Sequence, residues 1–163
     1  MSATPSPQPE LAGALPRLAA MPGILEAALA RAGADRLGTR PAAGGFSLRE
    51  HACHLRDLER EGYLLRLMRL LAEDFPVLEG FAGDRIAEER DYPSQDASAA
   101  AGEFAAARAE FVRVLGGLGP AELAREGEFA GRTVTLAAVA AMAAEHDAGH
   151  REEIERLLAE LGK

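Results

Sequence analysis

Apolar residues recur at steps of three and four along several long stretches of the chain, and this spacing predicts amphipathic helices. The stretch at 135–161 has the cleanest period, which is typical of a helix that packs along a bundle. Another stretch, at 96–115, ends at a run of glycine and proline residues that stops a helix. Each stretch is long enough to contribute one helix of a bundle.

The N-terminal region predicts a tail followed by an interrupted helix. Residues 1–9 contain three prolines, so we expect a disordered tail there. A helical pattern follows at 10–34, but Pro16 and the pair Pro22-Gly23 fall inside it. Because proline removes a backbone donor, we expect a short leading piece and then a helix that begins at Pro22.

The helix predicted at 47–74 begins with a capping signal. Ser47 is the expected N-cap, and Glu50 stands three residues later, where its side chain can reach back. The helix should stop where Phe75-Pro76 interrupts the pattern. One narrow stripe of this helix carries His51, His54, Leu58, Gly62 and Leu65.

The remaining segments connect these helices. Residues 76–95 form a long linker, which is typical of a crossover connection or of the rim of a site. We expect a short helical turn at 120–125 and a loop or short extended piece at 126–134. Four main helices joined in this way predict an all-α fold, an antiparallel four-helix bundle that forms one domain over residues 10–163.

Composition supports the helical prediction and narrows the classes of partner. Alanine, leucine, arginine and glutamate dominate, whereas valine and isoleucine are scarce and tryptophan is absent. With 18 basic and 26 acidic residues the net charge is −8, so nucleic-acid binding is not expected. The single Cys53, the lack of a signal segment and the shortness of the apolar stretches predict a cytoplasmic protein that does not bind membranes.

All four histidines fall on the apolar faces of two predicted helices. His146 and His150 are four residues apart, so their rings lie one turn above the other and can share one ion. A third ligand would have to come from the earlier helix, and periodicity does not choose between His51 and His54. Inward histidines also occur as ordinary core residues that hydrogen-bond carbonyls or carboxylates, so the spacing alone leaves both interpretations open.

Two segments resemble the signature segments of the DinB-like, YfiT-like superfamily of metal-dependent proteins. Residues 46–67 (FSLREHACHLRDLEREGYLLRL) carry an aromatic-Ser pair, then Glu, then His-Leu. Residues 145–154 (EHDAGHREEI) carry a His-Asp-x-x-His core. The resemblance extends over about residues 20–160 in helix order. Phe46, where the family more often has tryptophan, and Gly149 depart from the pattern.

The resemblance implies a specific ligand set. It implies that His54, His146 and His150 are the metal ligands and that His51 is a neighbour rather than a ligand. Three imidazoles suit a divalent ion such as zinc, nickel or iron(II) and leave a coordination position open for water or substrate.

Other polar residues are candidates for supporting roles. Glu50 and Asp147 could orient a ligand imidazole by accepting a hydrogen bond from its free N–H, although such residues are often solvated or cap helices. We interpret Cys53 as a small buried residue, not a catalytic thiol. Three residues of the long linker could form a rim that receives an anionic substrate, or could belong to a solvated connection: Arg85, Arg90 and Tyr92.

The resemblance favours an enzyme, with alternatives. It suggests transfer of a low-molecular-weight thiol to an electrophile, or hydrolysis, acting on a small-molecule substrate. The first alternative is a non-catalytic metal-binding or ligand-binding bundle, such as a stress-linked sequestration protein. The second is a helical interaction module whose histidines belong to the core. Similar proteins commonly pair, so we expect a homodimer.

Overall fold

The computed structural model describes residues 7–163, and these form a bundle of four long helical segments. The tail predicted at 1–9 falls mainly outside the described residues, but the first helix already begins at Pro7. The helices are α1 (Pro7–Ala32), α2 (Leu48–Leu58), α3 (Leu64–Ala72), α4 (Gly83–Glu89), α5 (Ala97–Gly116), α6 (Pro120–Leu123) and α7 (Leu136–Leu161), and the strands are β1 (Val77–Leu78), β2 (Glu126–Phe129) and β3 (Arg132–Thr135). A π-helical turn, Glu59–Tyr63, joins α2 to α3 without a break.

Helices α1 and α7 lie side by side and run in the same direction. Near the middle of α1, Arg17 donates to the carbonyl of Ala144 at 3.3 Å. Beyond its C-terminal end, Arg36 donates to the carbonyl of Leu161 at 2.6 Å. Since both contacts advance along both helices together, the first and last helices are parallel.

The second and third long helices are parallel too. Cys53 of α2 lies 3.7 Å from Gln95, which precedes α5, and the ring of Tyr63 lies 6.4 Å from that of Phe111 further along α5. The predicted four-helix bundle is therefore confirmed, with two helices in each direction arranged up, down, down, up. This order requires a crossover, and the long linker supplies it, as its length indicates.

The crossover contains β1 and α4, and β1 joins a small sheet with the two strands that precede α7. Strand β1 pairs parallel with β2, and β2 pairs antiparallel with β3 in a hairpin. The extended piece predicted at 126–134 is this hairpin. Strand β1 can approach β2 closely because position 127 is glycine, where a Cβ would lie 2.7 Å from the carbonyl oxygen of Pro76.

Local signals fix the starts of the long helices. The capping box is present as predicted, since the Ser47 hydroxyl accepts from the Glu50 backbone and the Glu50 carboxylate accepts from the Ser47 backbone. Asp96 caps α5 and Thr135 caps α7 with the side-chain acceptor alone, which receives the backbone N–H of Ala99 and of Ala138. The starts predicted from the sequence for these three helices agree with the observed starts within about two residues, as is usual for helix ends.

The prolines do not interrupt the first helix, contrary to the prediction. Pro16 and Pro22 both lie inside α1. Pro22 cannot donate to the carbonyl of Leu18 one turn earlier, and the buried guanidinium of Arg108 donates to that oxygen instead, at 3.0 Å. A side chain from another helix thus supplies the hydrogen bond that the proline removes.

The π-helical turn changes which residues of α3 face inward. Leu65 belongs to the apolar stripe of an ideal helix that begins at Ser47, yet it is 49% exposed. The turn inserts one extra residue and so rotates all later positions by roughly one residue's angle. Leu67 and Leu70 face the core in its place.

A polar layer divides the apolar core across the middle of the bundle. One apolar cluster includes Leu18, Phe111 and Ala144, and the other includes Leu25, Phe104 and Ile154. Buried histidine, arginine and carboxylate side chains lie between them. Within the described chain, no helix is long and apolar enough to cross a membrane.

Candidate metal centre

The four histidines meet in this polar layer. His54 comes from α2, and His146 and His150 come from successive turns of α7. One potential ligand atom from each of these three rings lies within 4.8 Å of the other two. The ring centroids are 4.8 Å apart for His54 and His150 and 4.4 Å apart for His146 and His150.

His51 lies at the edge of this group and contacts His150 directly. The two Nδ1 atoms are 3.0 Å apart. Nε2 of His51 faces the carboxylate of Glu153 at 3.7 Å, and Glu153 also lies 3.4 Å from Nδ1 of His150. These three side chains form a second group with convergent potential ligand atoms, which shares His150 with the first.

Aromatic rings and one glycine cover the imidazole of His54. The ring of Phe46 lies 5.3 Å from it and that of Phe81 lies 5.9 Å from it. Gly83, the first residue of α4, packs against the ring edge so closely that a Cβ there would lie 2.8 Å from Cε1 of His54. The crossover therefore covers the histidine cluster from one side.

Burial keeps the imidazoles neutral. It lowers the pKa of His51 and of His54 to about 4 and the pKa of His150 to about 2, below the usual 6.5. The pKa of His146 is lowered as well, chiefly by burial. Neighbouring rings add to the effect at His54 and His150 because a second positive charge nearby is repelled. Neutral imidazole is the form that binds metals.

Asp147, a predicted neighbour of the site, is engaged elsewhere. Its carboxylate accepts two hydrogen bonds from Arg108, at 2.5 and 3.0 Å, while Glu59 accepts another from the same guanidinium at 2.8 Å. Adjacent residues of a helix point about 100° apart, so His146 and Asp147 face different clusters. We refer to Arg108, Glu59 and Asp147 as the ionic cluster.

The hydrogen bonds recorded for Glu50 likewise go to groups other than the imidazoles. Its carboxylate accepts from the Ser47 backbone and from Arg40, at 3.0 Å from Nε. These bonds lower the pKa of Glu50 against the effect of burial. Its role in this structure is to cap α2 and to attach the preceding loop.

The three linker residues considered for a rim all contact carboxylates of the chain. Tyr92 is fully buried and donates to Asp57 at 2.7 Å, and Arg90 binds Asp57 and Glu61. Arg85 pairs with Glu89 within α4.

Cys53 is buried as predicted. Burial raises the pKa of its thiol to about 11, so the thiol stays protonated at neutral pH.

The sequence did not indicate several of the residues around the cluster. Phe81 and Gly83 lie in the linker, where no pattern marks them. Glu153 lies in a charged stretch of the last helix that is typical of a solvated face, although its spacing of three from His150 also permits a contact. Arg108 carried no signal, because its partners come from three other segments of the chain.

Comparison with known proteins agrees with this architecture. The family model of the DinB superfamily matches residues 17–154. The fold is similar to that of YfiT from Bacillus subtilis, described as a probable metal-dependent hydrolase with an unusual four-helix bundle topology. The TM-score is 0.85 at 20% identity, over 93% of this chain and 87% of that chain. No curated protein sequence matches the chain. The family match spans most of the length, and on that basis the chain belongs to the DinB superfamily.

Proposed function

We propose that the protein is a metal-dependent enzyme in which His54, His146 and His150 hold a divalent ion, and that it transfers a low-molecular-weight thiol to a small electrophilic substrate. The observation that carries the proposal is the convergence of three neutral imidazoles from two helices, of which His54 and His150 are buried and His146 is partly buried. YfiT, described as a probable metal-dependent hydrolase, shares the fold and supports the metal dependence.

The donor set fits such an ion. Three imidazoles are typical ligands of zinc, nickel or iron(II), and they add no negative charge. Within residues 7–163, Nδ1 of His54 and Nδ1 of His146 are buried without a hydrogen-bond partner. Unpaired polar atoms in a protein interior cost free energy, which is expected where a site is built for a ligand and not for stability alone.

The carboxylates of the bundle favour thiol transfer over hydrolysis. Among the described residues, every buried carboxylate has an arginine or tyrosine partner: Glu50, Asp57, Glu59 and Asp147. A divalent ion at the site supplies Lewis acidity that lowers the pKa of a thiol or a water molecule. A thiol needs only a small lowering of its pKa to ionise at neutral pH, whereas hydrolysis commonly also needs a protein base.

The surrounding side chains would exclude water from the reacting groups. Phe46 and Phe81 flank His54 with apolar faces, and Tyr63 lies 6.1 Å from His146 by ring centroids. An apolar wall of this kind strengthens electrostatic interactions at the site. Hydrolysis remains the second candidate, on the description of YfiT and on the position of Glu153 beside His150.

The test measures metal content and turnover together. Untagged protein is loaded with zinc, nickel or iron(II) and assayed for loss of free glutathione in the presence of an aryl halide, and separately for ester hydrolysis. We expect thiol loss that depends on the metal and disappears when the three histidines are replaced by alanine. Cys53→Ala is the control, because Cys53 belongs to the same helix but contacts Gln95 instead. Equal metal content in the wild type and the triple variant would show the site to be wrong.

A further inference from the structure

His51 is the residue of the histidine cluster that the three-histidine site does not use. It is 1% exposed, and its Nδ1 lies 3.0 Å from Nδ1 of His150. With no ion between them, two nitrogens at this distance share one proton, since two protons would repel and none would leave two lone pairs facing each other. One ring therefore donates and the other accepts.

The role of His150 in the proposed site decides the direction. Because Nδ1 of His150 faces His51, Nε2 is the nitrogen that remains for an ion. A neutral imidazole with a free lone pair on Nε2 carries its proton on Nδ1. His150 is then the donor, His51 is the acceptor, and the proton of His51 lies on Nε2, which faces Glu153 at 3.7 Å.

We propose that His51 is a positioning residue that accepts a hydrogen bond from Nδ1 of His150 and so fixes the tautomer and orientation of that ligand ring. The proposal rests on the proposed function. Among the described residues, His150 is the one triad ring with a recorded hydrogen-bond partner on a ring nitrogen. An outer hydrogen bond of this kind also makes the ligand nitrogen more basic.

The far side of His51 agrees with an orienting role. His51 and Glu153 line a groove of about 310 Å³ between the loop at 41–46 and α7. Glu153 is half exposed at 51%, so it can receive the Nε2 proton of His51 while remaining solvated. The series of contacts from His150 to His51 to Glu153 thus ends at a solvated carboxylate.

Two nearly isosteric substitutions separate this role from simple packing. In His51→Asn the amide oxygen takes the place of Nδ1 and can still accept, whereas His51→Leu fills similar space without an acceptor. We expect zinc affinity, measured by competition with a chelator, to fall about 10–100-fold in His51→Leu and to stay within about threefold of wild type in His51→Asn. Thermal unfolding of the metal-free variants shows that both are folded.

Nitrogen NMR of the zinc-loaded wild type provides a second readout. We expect His150 protonated on Nδ1 and His51 protonated on Nε2. A His51 ring protonated on Nδ1 would overturn the proposal, as would equal zinc affinities for the leucine and asparagine variants.

The remaining outcomes distinguish this inference from the function on which it rests. Two zinc ions per chain, with one lost in His51→Leu, would make His51 a ligand and overturn the positioning role. If the wild type and the triple-alanine variant bind zinc equally, the proposed function fails first. If only the wild type binds and His51→Leu is unaffected, the inference alone fails.

Discussion

Two buried polar clusters lie side by side in the middle of this bundle, and they differ in how their hydrogen bonds are satisfied. In the ionic cluster, Arg108 is bound by two carboxylates and by a backbone carbonyl. Nε of Arg108 and Oε1 of Glu59 have no partner among the described residues, but each charged group of the ionic cluster makes at least one hydrogen bond. In the histidine cluster, Nδ1 of His54 and Nδ1 of His146 have no partner among the described residues, and the rings are neutral. His146 and Asp147 are consecutive in sequence, yet each belongs to a different cluster.

The difference indicates a division of roles. A buried ion pair whose charged groups are hydrogen-bonded to one another holds helices in one arrangement, and removing one member leaves a charge without compensation. Buried neutral rings with spare lone pairs contribute little to holding helices together but can accept a ligand. We therefore expect substitutions in the ionic cluster to affect stability and substitutions in the histidine cluster to affect metal binding.

The largest expected effect follows from Arg108→Met. This change preserves most of the side-chain length but leaves Glu59 and Asp147 buried without their cation and the carbonyl of Leu18 without its donor. We expect the free energy of unfolding to fall by about 3–5 kcal/mol, measured by urea unfolding of metal-free protein. A loss below about 1 kcal/mol would contradict the structural role of the ionic cluster.

His146 and Asp147 allow the same substitution at adjacent positions. We expect His146→Asn to weaken zinc binding by at least about 100-fold, more than an outer-shell change costs, with little effect on metal-free stability. We expect Asp147→Asn to do the reverse, since its partner is Arg108 and not an imidazole. Chelator competition and urea unfolding measure the two effects. Comparable loss of zinc affinity in both variants would mean that the two clusters are not separate.

The metal-free protein should lose stability on acidification through its histidines. The pKa of His51 and of His54 is about 4 in the folded state, below the usual 6.5, so the unfolded chain binds protons first. The free energy of unfolding is therefore highest above pH 6.5 and decreases as the pH falls toward about 4. We expect each ring to lower it by about 1–2 kcal/mol between pH 7 and 5.

Urea unfolding at pH 7 and at pH 5 measures this loss. His51→Asn should show a smaller loss than the wild type, because one such ring is gone. An equal loss in both proteins would place the acid sensitivity outside His51.

The smallest expected effect concerns the cover over His54. In Gly83→Ala the new Cβ would lie 2.8 Å from Cε1 of His54, so the ring must shift. We expect zinc affinity to fall by about 3–10-fold. This loss is at or below the lower end of the losses in metal affinity that follow when the orientation of a ligand is disturbed. Gly149→Ala on α7 is the matched control, since a Cβ there meets no atom within 4 Å. An identical result for both variants would show that the crossover does not position His54.

The sequence predicted the parts of this structure that depend on local pattern. The capping box at Ser47, the period of the last helix and the inward positions of the histidines could be inferred because neighbours along the chain determine them. The superfamily resemblance then selected His54 over His51. These inferences use the local sequence alone and require no knowledge of which segments of the chain contact each other.

Features that depend on distant partners could not be predicted. Pro22 remains inside a continuous helix because Arg108, far along the chain, binds the carbonyl of Leu18. Its position next to His146 in the sequence made Asp147 a candidate for the site but could not show that an arginine on a third helix binds it. The π-helical turn at Glu59–Tyr63 left no pattern, and its effect appeared only in the exposure of Leu65.

The crossover between the second and third long helices has a consequence for the order in which the protein matures. His54 and His146 are separated by α3, the whole crossover, α5 and the hairpin, so no partial chain that lacks α7 contains the complete ligand set. Contacts between such distant segments form late in folding, because a long loop must close first. During synthesis, an ion that needs all three rings would be captured only after the last helix has docked, and metal retention would therefore report on completed folding.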